Sequence, residues 1–329
     1  MLNDLSSITL LSFININIPG LPRSLIKSVM SFAQVDILPS ELILQSMFTF
    51  DDINDKPFNN QFALLGYESS NGAKSMGSAF LYFVLNSVLL LLLALLSLVK
   101  RFFPRVNKVH DFLKKKVLWN LFIRFFIQQF ISLIFSSAIN FFYVRTITSG
   151  EKLGIYSSGF VFVITVLVIP TFAWIILKKS NDPEYLEKYG TLTEGLKMNS
   201  AVSKLWTIFG LIKWLITATV LMTLANHPAI QMMLLLLLSI TYQIMILIFK
   251  PFDLPSNNRL RFITELFISC YLYFYLLLSD YNQEIDSRDV QNYSSWGLLG
   301  VLGACATLNI MIYLKIAFTG CKRLAIKKC

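Results

Sequence analysis

The sequence predicts an all-α integral membrane protein: a bundle of seven transmembrane helices, eight if a short N-terminal apolar run also crosses, with an N-terminal interfacial amphipathic helix. Three observations carry this. Residues 77–99, GSAFLYFVLNSVLLLLLALLSLV, contain no charge, and at about 1.5 Å per helical residue the run is long enough for a hydrocarbon core about 30 Å thick. Six further apolar segments follow, at 118–143, 155–177, 205–225, 229–249, 260–280 and 294–318. Positive charge then alternates between the connections. Residues 100–116 carry Lys100, Arg101, Arg105, Lys108, Lys114, Lys115 and Lys116. The third-to-fourth connection adds Lys178, Lys179, Lys188, Lys197 and Lys204, the fifth-to-sixth Lys250, Arg259 and Arg261, and the tail Lys322, Arg323, Lys327 and Lys328. The opposite connections hold only Arg145, Lys152 and Arg288, so the basic side is assigned to the cytoplasm or its topological equivalent.

Composition agrees. A chain 55% hydrophobic and 15% charged lies outside the range of soluble globular domains. Its net charge of +10 falls between apolar runs rather than in a basic domain, which points to anionic lipid at the basic loops and away from nucleic acid. Other membrane subunits or further copies of the chain are the remaining expected partners. No cofactor or metal is expected: Cys270, Cys305, Cys321 and Cys329 have no zinc spacing, and the two histidines, His110 and His227, stand without ligating neighbours. Hydrolase, nucleotide-binding and zincin motifs are absent, so the chain does not read as an enzyme. The surface membrane is favoured, with the mitochondrial inner membrane as the alternative.

In order, residues 1–76 hold three features. An apolar run at 5–18 ends at Pro19-Gly20 and is short for a span. An amphipathic stretch at 22–34 sets Leu25, Ile26, Val29, Met30, Phe32 and Ala33 mostly on one face, with Arg23 and Lys27 on the other. The polar, turn-rich residues 51–76 read as a non-cytoplasmic loop. The seven-span bundle occupies 77–318. Between its third and fourth spans, Asp182, Pro183 and Gly190 have the character of cap, first-turn residue and stop, predicting a short helix over 183–188. A basic cytoplasmic tail, 319–329, carries Cys321 and Cys329 as free thiols.

Chemistry-bearing side chains inside the spans are few. Arg124, Lys213 and Glu265 are the charges well within apolar segments, all toward the cytoplasmic side, and Glu265 is expected within salt-bridge reach of Arg124 or Lys213. Arg124, Gln128, Ser132, Ser136 and Asn140 form a polar row at four-residue intervals. Each step drifts about 40°, so the row winds about 160° around its helix and should point into the bundle, for hydrogen bonding or as the lining of a permeation path. Gly297, Gly300, Gly303, Ala304 and Thr307 fall within an arc of about 120° and predict close helix packing.

Five phrases occur in a set order: LSFININIPGL at 11–21, LLGYESSNGAKSMGS at 64–78, FIRFFIQQFISLIFSSAIN at 122–140, YGTLTEGLK at 189–197, and HPAIQ with KPF between 227 and 252. Together they resemble the C-terminal multi-pass region of the large cysteine-rich surface proteins of ciliates, with furin-like or EGF-like repeats, a region distantly similar to TRP-like and polycystin-like membrane domains. The resemblance implies a channel-like or sensory membrane domain. The alternative is a non-catalytic structural or accessory subunit of a larger membrane complex. The 281–293 connection is too short for a re-entrant pore helix with a filter.

Overall fold

The computed structural model describes residues 10–14, 16, 40–50, 56–64, 67, 69–99, 122–142, 144, 146–180, 182, 185–278, 292–308 and 310–311. The amphipathic stretch 22–34, the basic segment 100–116 and the tail with Cys321 and Cys329 lie outside them, as does most of 281–293. The described elements are α1 (Ser40–Met47), α2 (Asn60–Leu64), α3 (Gly72–Ser75), α4 (Ser78–Val99), α5 (Phe122–Phe142), α6 (Ser149–Lys179), α7 (Tyr185–Tyr189, continued by a 3-10 turn, Gly190–Leu192), α8 (Ala201–Lys204), α9 (Trp206–Thr223), α10 (Pro228–Phe249), α11 (Pro255–Leu278) and α12 (292–308). Among the described residues the only β pairing is an isolated antiparallel bridge, Leu196 with Phe252.

Five helices, α5, α6, α9, α10 and α11, are long and apolar enough to cross a membrane. The segments expected to give the first and last spans appear as α4, apolar over Tyr82–Leu98, and α12. Local signals account for the ends. Thr148 opens the 31-residue α6 with a capping box: its hydroxyl accepts the Glu151 N–H, while the Glu151 carboxylate accepts the Ile147 and Thr148 N–H groups at 2.8 and 3.1 Å. Lys178 and Lys179 lie in its last turn, where cations suit the negative end of the helix dipole. The helix runs through Pro170. Prolines open α10 and α11, whose first turns need no N–H donor. α10 ends where Lys250 turns left-handed, with φ 44°, ahead of Pro251.

The chain divides into two compact units, Gln34–Thr223 with Phe249–Asn257, and Met1–Ala33 with Leu224–Ile248 and Asn258–Cys329. In the first, α5 is the central helix, packed chiefly on α6 and next on α9. Phe126, Phe130, Leu133, Phe135 and Ile139 of α5 are buried, and Phe130 approaches Trp214 of α9 at 6.4 Å between ring centroids. α6 buries one straight seam, Gly150, Gly154, Ser158, Val161, Thr165, Val168, Phe172 and Ile176, and exposes Phe160, Val163, Leu167 and Leu177. A seam of that width on so apolar a helix leaves the rest to lipid.

A small cap closes the end of this unit that carries the third-to-fourth connection. Gly195, at φ 73°, reverses the chain so that its carbonyl accepts from Asp253 N–H at 3.0 Å while Lys197 N–H donates to the Pro251 carbonyl at 2.8 Å. A Cβ there would meet nothing within 4 Å, so Gly195→Ala isolates the backbone cost. The expected result is a loss of about 1–2 kcal/mol, read as a lower Tm of the detergent-solubilised chain. An unchanged Tm would mean that the reversal is not needed.

In the second unit, α10 buries Gln231, Met232, Leu235, Ser239, Tyr242 and Ile246, and α11 buries Thr264, Glu265, Ile268, Ser269, Tyr271, Leu272, Tyr275 and Leu278. Residues 10–14 and 16 are buried as well, and Ser12 shares a 3.4 Å hydrogen bond with the Tyr271 hydroxyl.

Candidate intramembrane polar sites

Among the described residues, each unit holds a buried polar network that joins its long helices. In the first, the segment read as an outer polar loop turns inward at its C-terminal part. Ser69, Ser70 and Asn71 are each 8% exposed and Ala73 is fully buried, because α3 packs against both α5 and α6. The backbone of the turn is satisfied locally. Asn71 caps α3 by accepting the Ala73 N–H at 3.0 Å, its own N–H reaches the Ser69 hydroxyl at 2.9 Å, and the Ser75 hydroxyl donates back to the Ser69 carbonyl at 2.6 Å.

The turn is then tied to the long helices. Ser136 of α5 donates to the Ser75 carbonyl at 2.9 Å, Asn71 Nδ2 donates to the Gly150 carbonyl of α6 at 3.0 Å, and Asn140 Nδ2 reaches the Ser158 hydroxyl at 3.4 Å. Glycines make room for this. A Cβ at Gly154 would meet the Asn71 side-chain amide at 2.5 Å, and one at Gly150 would meet the Thr49 carbonyl at 2.7 Å and the Phe50 ring closer still.

The polar row of α5 changes environment along its length. Arg124 and Gln128 are exposed, Ser132 is half-buried, and Ser136 and Asn140 are buried. The 40° drift per step is the physical reason: the row leaves the exposed face and enters the α3–α6 seam. Arg124 faces Glu194 of the cap at 3.6 Å, with side chains 57% and 71% exposed, a pair worth about 0–1 kcal/mol. Lys213 is buried on α9, where its carbonyl accepts from the Thr217 hydroxyl at 2.9 Å. In the cap, burial pushes the Tyr185 phenol up, and the Thr193 hydroxyl pulls partly the other way.

The second network surrounds Glu265, which is 1% exposed. Ser239 of α10 donates toward the Glu265 carboxylate at 3.3 Å and lies 3.1 Å from the Ser269 hydroxyl. Gln243 Nε2 donates to the Ser269 hydroxyl at 2.6 Å and to the Glu265 carbonyl at 3.1 Å. Arg261 lies one turn earlier on the same helix as Glu265. Glu265 thus belongs to the Met1–Ala33, Leu224–Ile248 and Asn258–Cys329 unit, as does Arg261, whereas Arg124 and Lys213 belong to the other.

In α12 the buried face is Ser294, Ser295, Leu298, Leu302 and Cys305. Of the small residues, Gly297 meets the Phe274 ring of α11, which leaves no room for a Cβ, whereas Gly300, Gly303 and Ala304 are exposed.

Sequence reasoning missed Asn71, Ser75 and Ser158 in one network and Ser239, Gln243 and Ser269 in the other. One signal was present: Gly150, Gly154 and Ser158 recur every four residues at the start of α6, the spacing of a small-residue seam. Neither network gathers three or more His, Cys, Asp or Glu residues as a metal cluster would, among the described residues. What the networks do chemically is satisfy polar groups between packed helices. No protein-family model, no curated protein and no solved structure matches this chain.

Proposed function

We propose that the chain is a seven-span, TRP-like membrane domain of the surface membrane, with a cytoplasmic C-terminus, acting as a sensory or channel-like module. The observation that supports it is the division at residues 223 and 224. One compact unit contains α4, α5, α6 and α9, the other α10, α11 and α12, and each is organised around its own buried polar network. Only Leu224–His227 separates α9 from α10 along the chain.

Conduction is tested by reconstituting the full chain in liposomes and measuring ion flux, parent against Arg124→Gln. A path beside α5 predicts flux whose anion-to-cation ratio falls in the variant, because Arg124 is the cation of that row. Unchanged selectivity moves the path elsewhere. A second reading, a structural or accessory subunit in the surface or mitochondrial inner membrane, is favoured by the broad apolar faces of α6 and α10. Phe160, Leu167, Leu237 and Leu247 are each more than half exposed, and most polar side chains of the networks are hydrogen-bonded. Absence of flux in correctly folded protein would select that reading.

A further inference from the structure

Glu265 lies near the middle of α11, a helix of membrane-spanning length, and its side chain is buried. A carboxyl in a low-dielectric interior is neutralised either by a cation or by a proton. The groups around it serve both states. The Ser239 hydroxyl, near the middle of α10, has three oxygens in reach: the Glu265 carboxylate at 3.3 Å, the Glu265 carbonyl at 3.4 Å and the Ser269 hydroxyl at 3.1 Å. A hydroxyl carries one proton and two lone pairs, so Ser239 donates to one of them at a time and accepts from others.

With Glu265 ionised, Ser239 donates to the carboxylate and accepts from Ser269. With Glu265 protonated, the carboxyl O–H donates to Ser239, which still accepts from Ser269 and turns its own proton to the Glu265 carbonyl. Gln243 Nε2 donates to Ser269 at 2.6 Å and to the Glu265 carbonyl at 3.1 Å in either state. Both arrangements use contacts already present, and only the Ser239 hydroxyl rotates. Two titratable side chains flank the site: Arg261, one turn before Glu265 on α11, and the buried Tyr242, one turn from Ser239 on α10. Residues 10–14, which reach α11 at Tyr271, and α12, which reaches it at Gly297, carry no charged residue over their described lengths. The ionised state has Arg261 as its countercharge, and the acid state needs none. We propose that Glu265 is an exchangeable proton-binding site, taking up and releasing a proton within the folded chain while the Ser239 hydroxyl follows it. The proposal does not depend on conduction.

The test is labelling of the detergent-solubilised full chain with dicyclohexylcarbodiimide, a lipophilic reagent that adds across the O–H of a protonated carboxyl and spares an ionised one. Peptide mass spectrometry locates the adduct, so the parent protein alone carries the reading. Labelling at Glu265 is expected to rise about tenfold or more as the pH falls from about 9 to about 6. Ser239→Ala removes the rotating hydroxyl and keeps the carboxyl. It should move the pH of half-maximal labelling by about one unit, because a charge-assisted and a neutral hydrogen bond are lost unequally from the two states. Thr219→Ala, at an exposed position of α9, should leave that pH unchanged. No adduct at Glu265 anywhere in the range would mean a carboxylate held permanently by its countercharge. An adduct formed equally throughout would mean an acid that never ionises, and either result overturns the site. An unmoved half-point in Ser239→Ala would overturn the part assigned to its hydroxyl.

Discussion

Gly154→Ala is expected to destabilise the full chain by about 2–4 kcal/mol, although helix propensity alone favours alanine in a helix interior by about 1 kcal/mol. The added methyl would meet the Asn71 side-chain amide at 2.5 Å. That amide cannot swing aside freely, because it donates to the Gly150 carbonyl and accepts from the Ala73 N–H, and Asn71 is only 8% exposed. Moving it forfeits two hydrogen bonds of about 1 kcal/mol each and strands buried backbone groups, while forcing the turn outward adds an overpacking cost of about 1–3 kcal/mol. The sum exceeds the propensity gain, which fixes the sign. Thermal unfolding in detergent measures it, and Asn71→Ala in the Gly154→Ala background supplies the control. If the amide is the obstacle, the two substitutions are strongly non-additive, and the second costs little once the first is made. A Gly154→Ala protein as stable as the parent would show that α3 does not sit in the seam.

The helices were legible because their determinants are local. The run at 77–99 became α4, and the Asp182, Pro183 and Gly190 signals marked α7 within two residues. The polar turn at 69–76 was not legible as a buried element. Its composition is that of a solvent loop, and only partners far along the chain make burial affordable: Ser136, Gly150 and Ser158. Periodicity likewise gave the drift of the α5 row but not which of its ends meets α3, so the exposure of Arg124 and Gln128 had no local signal. For α12, small residues mark a face that permits close approach without specifying which neighbour arrives. Phe274 fills the space at Gly297 and nothing does so within 4 Å of Gly300 or Gly303.

Glu265→Gln is expected to cost about 2–4 kcal/mol through charge rather than shape. Glutamine retains the volume and an oxygen for the Ser239 hydroxyl, so packing and that hydrogen bond persist. What disappears is a carboxylate four residues, one helical turn, from Arg261 on α11. Removing one member of a fully buried pair typically costs about 3–5 kcal/mol; only Glu265 is fully buried here, while Arg261 is half-buried near the start of α11, where a long side chain can reach toward the interface, so the lower range is expected. A double-mutant cycle separates the two causes. Arg261→Gln removes the cation that Glu265→Gln leaves uncompensated, so the double variant should recover about 1–3 kcal/mol relative to the sum of the single losses. Tm values in detergent at low and high salt give the measurement, and a buried pair predicts coupling that salt hardly weakens. Additive losses, or a Glu265→Gln protein as stable as the parent, would assign Glu265 to the hydrogen-bond network alone and leave Arg261 neutralised by other means.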